Sequence, residues 1–208
     1  IDAGSGVTQR LSEHGLKPSA IDIILITHLH SDHIVDLYQL YISGWHSGRT
    51  KPFKLVGPRG IEKYFNKIME AYNDELSLRI EWEKRPNNAG LEIEIIEIND
   101  EFIFDDQDIK IKSIEVQHQP VEPAYGYEFL VKNKKVTYSG DTKYSKNLEN
   151  ASKNAEYLIH EVFVDLNFDD KRMTQDTLKN VKEYHSTPED VGKLAQAANV
   201  KNLILNHF

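Results

Sequence analysis

The heptapeptide Thr27-His28-Leu29-His30-Ser31-Asp32-His33 places three imidazoles and a carboxylate within six residues, directly behind the apolar run from Ile21 to Ile26. A turn at the end of a strand can aim side chains of different offsets at one point, and imidazole with carboxylate is a ligand set for zinc and related divalent ions. A polar loop carrying surface histidines is the plain alternative. Four ligand-type groups at HxHxDH spacing behind a buried-strand signal point instead to a metal site. The feature also constrains the fold, because a short continuous apolar run is characteristic of a strand covered on both faces.

The pattern continues as a strand, ligand loop and helix unit, with Ile34, Leu37, Tyr38 and Tyr41 recurring at helical spacing. Phe53 to Gly57 reads as a second strand, and Pro58 is expected to open a helix whose apolar face is Ile61, Tyr64, Phe65, Ile68 and Met69. From Leu91 the residues alternate. Ile93 and Ile95 change phase to Ile96 and Ile98, and Ile109 and Ile111 change to Ile114 and Val116, which predicts bulges. Tyr125 to Val131 and Val136 to Tyr138 predict a hairpin turning at Asn133-Lys134. The last third returns to mixed elements: a strand from Tyr157 to His160, polar helix around Leu178, and a closing strand from Leu203 to Leu205. Between the last two, a helix starts at Pro188, capped by Thr187 with Asp190 completing a capping-box-like pair. Helices at both ends of a strand-rich middle imply an α/β protein, a four-layer αββα sandwich of two mixed sheets.

A chain of 208 residues supports one such domain, expected to span 1–208, and no repeat or flexible linker divides it. No stretch approaches the roughly 18 continuous apolar residues of a membrane-spanning helix, and the mean hydropathy is −0.54. With no cysteine, a metal must be held by His, Asp and Glu, and thiolate nucleophiles and disulfides are excluded. A cytoplasmic setting is compatible. The start at Ile1 inside a strand-to-glycine segment and the stop at Phe208 suggest truncation at both ends. A formal net charge of −8 argues against a generally basic nucleic-acid-binding surface, so any polyanion contact must be local.

Three further candidate ligands stand where strands end: His118 after Ile114–Gln117, Asp141 after Val136–Gly140, and His207 after Leu203–Asn206. Each alone would pass for an ordinary loop residue; together with the first motif they suffice for two ions. HxHxDH, a lone His, Ser139-Gly140-Asp141-Thr142 and a terminal His make the chain resemble the metallo-beta-lactamase superfamily, in its ribonuclease Z and arylsulfatase-like branch. Gly126-Tyr127, Leu158-Ile159-His160-Glu161, His185-Ser186-Thr187 and Leu203 to Phe208 are similar to later motifs of that branch, so the resemblance spans nearly the whole chain. It implies that His28, His30 and His118 hold one zinc, that Asp32, His33 and His207 hold the other, and that Asp141 bridges them. Mn2+ or Fe2+ are alternative metals. Asp32 would also act as general base toward a metal-bridging hydroxide, and His185, oriented by Glu161, would protonate the leaving oxygen, although a solvent-facing helix-start histidine is the bland alternative for His185. His160 is expected in the core or behind the ligands, and His14 and His46 on the surface or a pocket rim.

These residues predict a dinuclear zinc hydrolase of phosphodiester or sulfate esters. Asp141 follows His118 by only 23 positions (141 − 118), which leaves no room for the long tRNA-gripping arm that the ribonuclease Z family inserts in this interval. Small ester substrates are therefore expected ahead of RNA. The Gly44 to Pro52 region is closer to arm-less, arylsulfatase-like members. There Trp45 could stack on an aromatic leaving group and Arg49 or Lys51 could meet an anionic oxygen, against the plainer reading of a core tryptophan beside a solvated basic turn. The alternatives are a tRNA 3′-processing endoribonuclease, a lactonase or phosphotriesterase, a flavin-partnered di-iron oxidoreductase, for which a carboxylate would be expected in place of His30, and a metal-free binding module of the same fold. A homodimer is implied only by the resemblance.

Overall fold

In the computed structural model, residues 1–84, 88–164 and 174–207 are described, and they fall into two compact units, Ile1–Ile98 and Asn99–Phe208. The first unit runs α1 (Val7–Glu13), β1 (Ile23–Leu25), α2 (Ser31–Ile34), α3 (Leu37–His46), β2 (Phe53–Pro58), α4 (Ile61–Glu83) and β3 (Ile93–Ile98). Its three strands form a parallel sheet in the order β1-β2-β3. Parallel neighbours need crossovers, and helices supply them. Ile24, Ile26, Phe53 and Leu55 from the strands pack with Leu37, Leu40 and Tyr41 of α3 and Ile61 and Phe65 of α4 into one core.

The expected helix start at Pro58 is displaced. Pro58 ends β2 in register with Ile98, and Gly60, at φ 104°, turns the chain so that α4 begins at Ile61. The free N–H groups at this start are answered from β3, where Glu97 Oε1 accepts from the backbone N–H of Gly60 at 2.7 Å and of Glu62 at 3.2 Å.

The second unit runs β4 (Ile103–Asp105), β5 (Ile109–Glu115), β6 (Tyr125–Val131), β7 (Lys134–Tyr138), α5 (Lys146–Ala151), β8 (Tyr157–Glu161), α6 (Gln175–Lys182), α7 (Pro188–Ala197) and β9 (Leu203–Asn206). Its sheet follows sequence order from β4 to β9, antiparallel as far as β7 and parallel from β7 through β9. Ile114, Val116, Leu148, Leu158 and Leu194 form the core where α5 and α7 meet the sheet. Two sheets with helices place the molecule in the mixed α/β class expected.

The predicted bulges are absent from these strands. β3 pairs with β2 from Ile93 to Ile98, and β5 with β6 from Ile109 to Glu115, both in unbroken register. In β5 the inward position after Ile111 is filled by buried Ser113, while Ile114 faces the opposite side and is buried there too. The phase change therefore records apolar residues on both faces rather than an inserted residue. The hairpin between β6 and β7 turns at Lys132 and Asn133, both left-handed at φ 47° and 65°, one position earlier than expected. A two-residue turn with both φ values positive matches the twist of its strands.

Candidate metal centre

In the first unit, the chain leaves β1 through Thr27 and reaches the single turn α2 within four residues, which gathers His28, His30, Asp32 and His33. What orders them is Asp2, buried at 8% exposure. Its carboxylate accepts from Thr27 N at 2.8 Å, from Thr27 Oγ1 at 3.0 Å and from His33 Nδ1 at 2.8 Å. These bonds fix tautomers. Since the Thr27 hydroxyl donates to Asp2, its lone pair accepts from His28 Nδ1 at 3.0 Å, and the lone pair of the His28 ring then lies on Nε2. By the same logic His33 donates Nδ1–H to Asp2 and carries its lone pair on Nε2, which lies 3.5 Å from Asp32 Oδ2. His28 Nε2 and His30 Nδ1 approach to 2.9 Å. Asp32 is open to solvent, its side chain 66% exposed.

In the second unit, His118 follows β5, Asp141 follows β7, and His207 follows β9 at φ 53°. His118 is fully buried and gives Nδ1–H to Tyr184 O at 3.0 Å, again placing the ring's lone pair on Nε2. Asp141 Oδ2 lies 3.4 Å from His207 Nε2 and 4.0 Å from His185 Nδ1. Asp141, His185 and His207 each offer a ligand atom within 4.8 Å of the other two, a His/Asp cluster that fits metal binding. His185 is held differently from the rest, with Nδ1 2.9 Å from Glu161 Oε1. Burial pushes the Glu161 carboxyl above its ordinary range, and the adjoining His185 partly offsets this. Gly126 of β6 has to be glycine, because a Cβ there would lie 2.6 Å from Tyr138 O and 2.7 Å from Ser139 O, on the loop leading to Asp141.

The donor set fits a metal. In His28, His33 and His118 the Nδ1 nitrogen is tied to a protein oxygen, so the opposite nitrogen presents its lone pair in a set orientation, as metal-bound imidazoles require. Asp2 and Thr27 are contributors to which the sequence assigned no role. Asp2 lay in the recognised Ile1 to Gly6 segment, but nothing local in the sequence links it to His33.

Other expectations resolve plainly. His160 is fully buried and donates Nδ1 to Glu161 O at 2.6 Å, while His14 and His46 are exposed. The anion-binding role considered for Arg49 is overturned, because Arg49 is 3% exposed and its Nε and Nη2 donate to Gly90 O and Tyr41 O beneath the Phe53 ring. Trp45 is buried as a core residue and Lys51 is exposed. Phe208, the last residue of the terminal motif, lies outside the described residues.

A family profile described as a beta-lactamase superfamily domain matches residues 1–208. Ribonuclease Z of Mycobacterium marinum is 28% identical over 214 residues, covering 100% of this chain and 75% of that protein. Ribonuclease Z of Mycobacterium bovis is 27% identical over 216 residues, covering 100% and 74%. Among solved structures, the short form of human tRNase Z superposes with a TM-score of 0.76 at 22% identity, covering 100% of this chain and 80% of that one. YhfI of Bacillus subtilis, a metallo-beta-lactamase fold protein, superposes with a TM-score of 0.69 at 19% identity, covering 99% and 71%.

Proposed function

The chain belongs to the beta-lactamase superfamily, and from that premise we propose that this metal-dependent ester hydrolase is a dinuclear zinc enzyme, a single catalytic domain cleaving phosphodiester or sulfate esters. The observation that carries this reading is the tautomer setting of His28, His33 and His118, which prepares three lone pairs for a cation. The proposed ligands are His28, His30 and His118 for one ion, Asp32, His33 and His207 for the other, and Asp141 between them. A two-oxygen carboxylate suits the bridging place. Nitrogen and oxygen donors without thiolate suit zinc, with Mn2+ or Fe2+ as substitutes. When bound, the ions supply Lewis acidity, which brings the pKa of water toward neutrality and stabilises charge building on the ester's oxygens.

The remaining steps belong to side chains. Solvent-exposed Asp32 takes the proton that the attacking water releases. His185, its Nδ1–H committed to Glu161, gives a proton from Nε2 to the departing oxygen. Buried Glu161 keeps that tautomer and ring orientation. The short interval from His118 to Asp141 and the net charge of −8 favour small esters over tRNA precursors, even though the curated relatives are named ribonuclease Z. The test combines metal analysis with a panel of bis-aryl phosphate, aryl sulfate, lactone and tRNA precursor. The wild type is expected to hold two ions per chain and to turn over the phosphate or sulfate ester. Asp141→Ala is expected to lose metal and turnover together. Preference for lactone or precursor tRNA, or turnover that survives Asp141→Ala, would overturn the reading.

A further inference from the structure

We propose that Ser186 is a positioning residue, a hydroxyl latch that sets His185 against the loop carrying Asp141. The inference rests on the roles just proposed for those two residues and goes beyond them.

Ser186 directly follows His185, and Thr142 directly follows Asp141. Both Ser186 and Thr142 are buried, at 1% and 0% exposure. Ser186 Oγ donates to Thr142 O at 2.6 Å. Its backbone is fixed on both sides, with N–H donating to Glu161 Oε1 at 3.2 Å and O accepting from Phe163 N at 2.8 Å. Thr142 N–H donates to the same Glu161 oxygen at 3.0 Å. Glu161 Oε1 thus receives three donors, from Thr142, His185 and Ser186, while Glu161 Oε2 is buried with no hydrogen-bond partner among the described residues. Three donors therefore share that one carboxylate oxygen. The Ser186 hydroxyl ties the two loops without drawing on that oxygen. Thr142 in turn joins the His118 loop, because Thr142 Oγ1 accepts from Gln117 N at 3.0 Å. Ser186 therefore ties the segment that carries His185 to the Asp141 loop, and Thr142 Oγ1 ties that loop to Gln117, next to His118.

This division gives a test. Loss of proton donation slows esters with poor leaving groups most, whereas loss of metal slows all esters alike. Ser186→Ala is expected to lower kcat about tenfold or more on a phenyl ester and less than about threefold on its dinitrophenyl counterpart, with metal content unchanged. Ser186→Thr, which keeps the hydroxyl, should restore most of the phenyl ester rate. Thr142→Val is the comparison, expected to lose metal and slow both esters equally. Uniform slowing by Ser186→Ala, metal loss in that variant or unchanged rates would overturn the proposal. A readout free of activity separates it from the hydrolase reading: in metal-stripped protein, the imidazole 15N shifts of His185 should move in Ser186→Ala while those of His33, whose Nδ1 is held by Asp2, stay. If they do not move, the latch is wrong whatever the enzyme cleaves. If they move but the wild type hydrolyses no ester, the latch stands and the hydrolase reading falls.

Discussion

At the scale of single residues, the sequence announces candidate ligands more readily than the groups that would aim them. HxHxDH is legible because its spacing is local and its residue types are chemically distinctive. Asp2 is not, since it reaches His33 across 31 positions and looks like any carboxylate near a glycine loop. Its importance follows from counting bonds: one buried carboxylate satisfies Thr27 twice and His33 once. Removing it leaves Thr27 N–H without its acceptor and frees the His33 ring to rotate. Asp2→Ala is therefore expected to weaken zinc binding by about 10- to 100-fold without deleting a ligand, as for other groups that hold metal-bound imidazoles. Calorimetric zinc titration of both proteins measures this. Unchanged affinity would mean that the backbone alone orients His33. Glu161 is a contrast, because its adjacency to His160 inside a recognisable tetrapeptide exposed it to a reading by resemblance, while its three-donor role needed coordinates.

At the scale of elements, capping was the most legible feature and strand phase the least. Thr187, Pro188 and Asp190 predicted the start of α7, and the Thr187 side chain accepts from Asp190 N at 3.2 Å as the pattern requires. Caps are short-range chemistry, so three residues suffice to specify one. Thr187→Ala is expected to destabilise the protein by about 1 kcal/mol, read as a lower denaturant midpoint at unchanged slope. Because α7 starts three residues after His185, the same change tests whether the helix start holds the histidine, which would add a loss of kcat to the loss of stability. In the strands, the inward place of Ser113 and the two-sided burial around Ile114 depend on what covers each face, which alternation alone does not encode. The start of α4 failed for a related reason. Proline is at home both at a strand's last residue and at a helix's first, and here the distant Glu97 carboxylate decided between them.

At the scale of the whole molecule, acid stability gathers contributions that no single element shows. Burial pushes the His160 imidazole from 6.5 down to about 4. The folded state therefore refuses a proton that the unfolded chain accepts below 6.5, so stability is intact above that pH and is lost as pH falls through the window to about 4. The full loss is about 3 kcal/mol. The buried Glu161 carboxyl works in the opposite sense: its affinity for a proton is raised on folding, so acid favours the fold through that group. Near the sequence pI of about 5.6 the net charge is small, so general charge repulsion is weak there. His160 is thus the group whose removal should flatten the acid limb. Urea unfolding of metal-stripped protein between pH 7 and pH 5 is expected to show falling stability in the wild type and a shallower fall in His160→Gln, even if that variant starts lower at pH 7. Parallel slopes for the two proteins would assign the acid sensitivity to other groups.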